Sequence, residues 1–179
     1  MNHSKNQPPA IVVSNTGPLL VLAKLRLLHL LPTLYKRVYF TQSVYDEAVA
    51  EGLRYGYKDA HTLQIFLSQS HWQPDEIDPE AKPESLDEAL LDTGERDTLI
   101  LAIKKQADLV LIDETIGRQV ARNYGLTVKG TLGILLEAYD CNVIKADELR
   151  LYFAEIAQRT DIWISPTLCQ RLLEKALQK

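Results

Sequence analysis

Only two cysteines, Cys141 and Cys169, occur in the 179 residues, and neither belongs to a CxxC pair. A disulfide framework and a zinc finger are therefore excluded, and a reducing, cytoplasmic setting is expected. Glycine and proline are sparse at eight each, which rules out collagen-like and low-complexity chains. There is no surplus of basic charge. Twenty Lys and Arg stand against 24 Asp and Glu, a net charge of −4, so neither global attraction to phosphates nor a polybasic membrane signal is present. Any nucleic-acid contact must be local. No GxGxxG, P-loop or GxSxG motif occurs, and His61 and His71 lack metal-ligand spacing. Nor is there an unbroken apolar run. Asn15, Gly17, Pro18, Lys24, Arg26 and His29 interrupt the stretch from Ala10 to Leu31, so it reads as part of the fold rather than as a signal peptide or membrane span.

What remains is one domain's worth of ordinary globular chain, 46% apolar and 25% charged. The expected layout is a flexible N-terminus over 1–9, an α/β domain over 10–140, and C-terminal helices over 141–179 packed on the same domain. Ala10 to Val13 is a β-branched run suited to a strand buried on both faces. Ser14-Asn-Thr-Gly-Pro18 follows as a turn and helix start, then Leu19 to Leu31 as apolar helix. The unit recurs: Val38 to Phe40 is a short strand, Thr41 and Ser43 are caps, and a helix runs through Val44 and Val49. A further helix is expected around Leu63 to Leu67, with an extended stretch from His71. Pro74, Pro79 and Pro83 among acids mark an exposed connection. Asp92 opens a helix to Gln106, Leu109 to Ile112 is the clearest buried strand, and a helix through Val120 stops at Gly125. Val128 lies in a brief strand before a helix near Thr131. Helices from Lys145 to Arg159 and from Pro166 to Leu177, capped by Ser165, end the chain. Short apolar strands alternating with helices predict a three-layer α/β/α domain with a mostly parallel sheet of four or five strands.

In such a sheet, ligands sit beyond the carboxyl ends of the strands. Asn15 follows the first strand by one serine, and Asp113 with Glu114 directly follows Leu109 to Ile112. Glu47, Glu95 and Asp97 lie near helix starts that point to the same edge. Carboxylates gathered in one place repel unless a cation stands between them or their pKa values rise. Magnesium or manganese, which prefer oxygen ligands, are the natural guests, and such a site suits phosphodiester hydrolysis.

These residues, in this order, resemble the PIN-like superfamily of small metal-dependent ribonucleases, which includes many toxins of toxin–antitoxin pairs. The resemblance rests on Val12-Val-Ser-Asn-Thr-Gly-Pro-Leu19, Val44-Tyr-Asp-Glu-Ala-Val49, Leu91-Asp-Thr-Gly-Glu-Arg-Asp-Thr-Leu-Ile-Leu-Ala102 and Leu109-Val-Leu-Ile-Asp-Glu-Thr-Ile-Gly-Arg118. It covers roughly Ile11 to Tyr139. By this likeness the family's first acidic ligand falls on Asn15 and its helix glutamate on Glu47. The third falls on Asp97 or Glu95, and the fourth on Asp113 or Glu114. Residues 95 and 97 lie about 200° apart on a helix, so both face one ion only if Glu95 precedes the regular turns. An amide at position 15 can ligate a hard cation but adds no negative charge.

The resemblance further implies Mg²⁺ or Mn²⁺ as cofactor, RNA as substrate, a homodimer and a small antitoxin protein, with no membrane association. Ser14 and Thr16 could donate to a phosphate or a metal-bound water, and Arg118 with Arg122, four apart on one helix face, could meet an RNA backbone. Each residue also has a plain structural use. Asn15 suits a tight turn, Asp92 and Glu95 have capping-box spacing, and Asp113 or Glu114 would serve the start of the next helix. Three functions follow: a metal-dependent endoribonuclease, a PIN-like nucleic-acid or protein interaction module that has lost catalysis through Asn15, or a small-molecule phosphohydrolase using the same acidic edge.

Overall fold

The computed structural model describes residues 9–78 and 91–178. The expected flexibility of the first eight residues, and the part of the acidic connection around Pro79 and Pro83, lie outside them.

Four strands form an all-parallel sheet in the order β2-β1-β3-β4: β1 (Val12–Ser14), β2 (Val38–Tyr39), β3 (Leu109–Leu111) and β4 (Val128–Lys129). Val12, Val13 and Ser14 pair with Leu109, Val110 and Leu111 in register. Asp75 extends the β2 edge by a single parallel bridge to Thr41. Alternate residues of the two central strands sort onto opposite faces, as a pleated backbone requires. Val12, Leu109 and Leu111 join one large core with α1 (Thr16–Lys24), α2 (Leu30–Tyr35), α5 (Lys58–Ser70), α8 (Thr131–Asp140), α9 (Ala146–Gln158) and α10 (Pro166–Leu177). Val13, Val110 and Ile112 pack against Leu101 and Ala102 of α6 (Thr93–Lys105). Behind them Leu99 and Ile100 meet Ala121 of α7 (Thr115–Asn123). The result is three layers, with the two central strands wholly buried.

The expected single helix from Leu19 to Leu31 is two helices. α1 begins earlier, at Thr16, and ends at Lys24, and the chain reverses at Arg26, whose φ is +60°. The Leu27 amide then donates to Leu22 O at 2.8 Å. Leucines at nearly every position are buried on both sides of the break, so their pattern carries no phase that could reveal it. The stretch through Glu47 also departs from a plain helix. Thr41 caps α3 (Gln42–Tyr45), as expected, but Asp46–Glu51 is π-helical before α4 (Gly52–Arg54) closes it. Elsewhere the capping signals hold: Asp92 and Glu95 form a capping box at the start of α6, and Ser165 with Pro166 starts α10.

Leu111 is fully buried at the centre of the sheet. Leu111→Ala is expected to cost about 3 kcal/mol in denaturant unfolding. Leu151→Ala, at a side chain 61% exposed, is expected to stay within about 0.5 kcal/mol of the parent.

Candidate metal and nucleic-acid site

The strand order reverses direction between β1 and β3, and that crevice is where an open parallel sheet accepts ligands. Asn15 leaves β1 there, and its amide N–H donates to Leu111 O at 2.9 Å. Asp113 and Glu114 leave β3 at the same edge. Asn15 is 3% exposed. Its Nδ2 donates to Glu114 Oε2 at 3.3 Å, and its Oδ1 accepts from the Thr98 hydroxyl at 3.4 Å. Thr16, the next residue, donates its hydroxyl to Glu47 Oε2 at 2.6 Å. Glu47, exposed as a whole residue, thus has its carboxylate drawn into the crevice by the π-helical turn that carries it.

Two glycines let these groups approach one another. A Cβ on Gly94 would stand 3.0 Å from Glu47 Oε2, 3.4 Å from Asn15 Oδ1 and 3.5 Å from Asp92 Oδ1, so three oxygens surround one point. A Cβ on Gly17 would stand 2.8 Å from Glu114 Oε1 and 3.5 Å from Asp113 Oδ2. Glu47 and Asp113 therefore flank the same short stretch, residues 15 to 17.

Of the paired alternatives, Glu95 faces this region and Asp97 turns to a neighbour. Glu95 is 6% exposed and accepts from the Asp92 amide at 3.2 Å. Asp97 accepts from Arg96 Nε at 2.9 Å and pairs with its guanidinium at 2.8 Å. Glu114 takes the amide of Asn15, whereas both Asp113 oxygens are used by Thr131: the backbone N–H at 2.7 Å and the hydroxyl at 2.6 Å. Asp113 thus secures the start of α8 rather than that of its own helix. Ser14 is fully buried and donates to Asn15 O at 2.9 Å, which commits its hydroxyl to the turn. Arg118 donates to Ile112 O at 2.9 Å, and Arg122 is exposed.

Burial raises the carboxyl pKa of Glu47, Glu95, Asp113 and Glu114 above ordinary values. For Glu47 the hydroxyl of Thr16 opposes the shift, and the charges of Asp92, Glu114 and Glu51 reinforce it. For Glu95 and Glu114 neighbouring carboxylates likewise add to burial, as expected of anions gathered without a counter-charge. Among the described residues, no three carboxylate, imidazole or thiol groups stand together at metal-ligand spacing. The oxygens bordering Gly94 are of the type a hard ion prefers, two carboxylates and an amide oxygen.

Several contributors escaped the sequence reading. Asp92 was assigned only to the capping box, yet its charge acts on Glu47. Thr98, one helical turn after Gly94, holds Asn15. Spacing from the capping box would have placed it on the same face. Two clefts of about 660 Å³ each open from the edge. The first is lined by Glu95, Asp113, Glu114, Leu20 and Val21, the second by Arg118, Arg122 and Lys129. Trp163 and Ile164 line both. No sequence signal marked Trp163.

A four-stranded parallel α/β domain with acidic side chains gathered at its switch point defines a nuclease-like class. The PIN domain family model matches residues 11–178, and the chain belongs to the PIN domain family. No curated protein matches it. No helix among the described residues is long and apolar enough to cross a membrane.

A carboxyl whose pKa is higher folded than unfolded adds stability below its unfolded value, about 4, and that stability is lost as pH rises through the folded value. Glu47→Gln keeps an acceptor for Thr16 and removes a repelled charge. In chelator-treated buffer it is expected to melt above the parent at pH 7, with the advantage shrinking toward pH 4. Differential scanning calorimetry across that range checks it, and a variant melting lower at pH 7 contradicts the electrostatic reading.

Proposed function

We propose that this PIN domain is a Mg²⁺- or Mn²⁺-dependent endoribonuclease acting on RNA. The observation that carries the reading is the gathering of Glu47, Asp92 and Glu114 around Asn15 at the β1/β3 switch point, with the carboxyl pKa values of Glu47 and Glu114 raised by burial and by neighbouring charge. Glu47, Asp92 and the Asn15 amide oxygen, the three groups around Gly94, are the ones that would hold the ion, with Glu95, Asp113 and Glu114 at its margin. When bound, the ion supplies an activated water and offsets charge on the phosphate oxygens.

The chain's own residues set up that chemistry. Thr16 holds the Glu47 carboxylate at the mouth of the crevice, and Thr98 orients the Asn15 amide. Asp113 fixes β3 to the start of α8, which keeps Glu114 at the edge. The exposed Arg122 beside the acidic cleft offers a phosphate contact in a protein that is acidic overall, while Lys129 is paired with Glu137 at 2.7 Å. A cytoplasmic location, a homodimer and a small inhibitory antitoxin partner belong to the same reading, and their support is the family resemblance.

A second reading is favoured by one bond. Asn15 Nδ2 donates to Glu114, so the amide neutralises the pocket where an acid would have added charge. On this reading the domain binds RNA or protein without cutting it.

Purified protein incubated with single-stranded RNA and Mn²⁺ separates the two. The nuclease is expected to cleave, and Glu114→Gln and Asp113→Asn to lose roughly tenfold or more. Silence in the parent with cleavage gained in Asn15→Asp identifies the impaired module. If neither cleaves and calorimetry detects no Mn²⁺ binding, both readings fail.

A further inference from the structure

The indole of Trp163 is 96% exposed, more than any other large apolar side chain among the described residues. It sits on a short loop that is firmly anchored. Before it, Arg159 grips Asp161 with two hydrogen bonds of 2.9 and 2.8 Å, drawing that carboxyl down to about 2, and Lys24 of α1 donates to Asp161 O at 2.6 Å. Ile162 and Cys169 on either side are buried in the core, and Ser165 caps the following helix. A ring with fixed ends and a bare face is held out to solvent, where burying it would gain free energy.

Its position gives it a use. Trp163 lies on the wall shared by the acidic cleft of Glu95 and Glu114 and a groove that carries Arg118 and the exposed Arg122, with Lys129 there paired to Glu137 at 2.7 Å. A strand whose phosphates meet Arg122 on its way to the acidic edge runs beside this ring. The other exposed aromatic pair, Tyr55 and Tyr57, borders a hollow lined by Glu47, Glu51 and Asp59, which repels phosphate. We propose that Trp163 is a stacking platform for an unpaired base of the substrate RNA, positioning the strand at the acidic site. Stacking accepts any base, because each has a π-face, so it adds affinity without sequence preference. The proposal rests on the ribonuclease reading and names how that site takes single strands.

The test uses the full chain, an unpaired oligoribonucleotide and chelator, so that binding is read without cleavage. The emission of the parent minus that of Trp163→Phe isolates Trp163 from the buried Trp72. RNA is expected to quench this difference signal, and an oligonucleotide of abasic ribose-phosphate units is expected not to. Trp163→Ala should bind RNA roughly tenfold more weakly, while Trp163→Phe retains most of the affinity. Unchanged affinity in Trp163→Ala, or binding without quenching, overturns the platform even if the parent cleaves RNA with Mn²⁺. Self-association of the parent that disappears in Trp163→Ala, with RNA affinity intact, assigns the ring to a protein interface and also overturns it. If the parent neither binds nor cleaves RNA, the ribonuclease reading fails first and the platform falls with it.

Discussion

Like charges crowded at one rim of a parallel sheet repel, and the geometry of this edge is a set of local answers to that repulsion. Thr16 donates to Glu47, the Asn15 amide donates to Glu114, backbone N–H groups serve Glu95 and Asp113, and Thr131 supplies a second hydroxyl. These bonds lower the cost of each anion without cancelling it, and all four carboxyl groups keep raised pKa values. On the proposed reading, a divalent ion would supply the counter-charge that these anions lack.

Asn15 is the point on which the chemistry turns. An aspartate in its place would stand within hydrogen-bond reach of Glu114 with nothing to donate, and would add a negative charge to a pocket already short of compensation. The amide instead bridges Thr98 on α6 to Glu114 at the end of β3, so one side chain ties a helix to the rim of the sheet. On the nuclease reading, an amide here would hold a cation less strongly than a carboxylate, because it offers an oxygen but no negative charge.

Charge is also divided across the edge. The acids cluster at the ends of β1 and β3, with Asp113 on the boundary, while Arg122 and the Glu137-paired Lys129 lie beyond β3 along α7 and β4. A net charge of −4 conceals this local polarity, which gives a polyanion a place to approach that is separate from the place where an ion would sit.

The layered fold was legible in the sequence because its causes are local: a β-branched run at Val12 and an apolar run at Leu109, the capping box of Asp92 and Glu95, and Ser165-Pro166 each specify their element with few neighbours. The candidate edge was legible for a similar reason, since residues that follow buried parallel strands share one rim. Other features depended on three dimensions. The break at Arg26 is invisible in a run of leucines buried all round. The choice of Glu95 over Asp97 depended on which flank of α6 met β1, and the use of Asp113 depended on Thr131 arriving beside it from the next unit. Trp163, far along the chain, came to the site only through the packing of α9 and α10. The sequence by itself determined which elements form and which end of the sheet is acidic, because propensity and strand order are carried by neighbouring residues. Only the tertiary structure decided which acids meet and which ring overlooks them, because those contacts join residues that neither periodicity nor spacing connects.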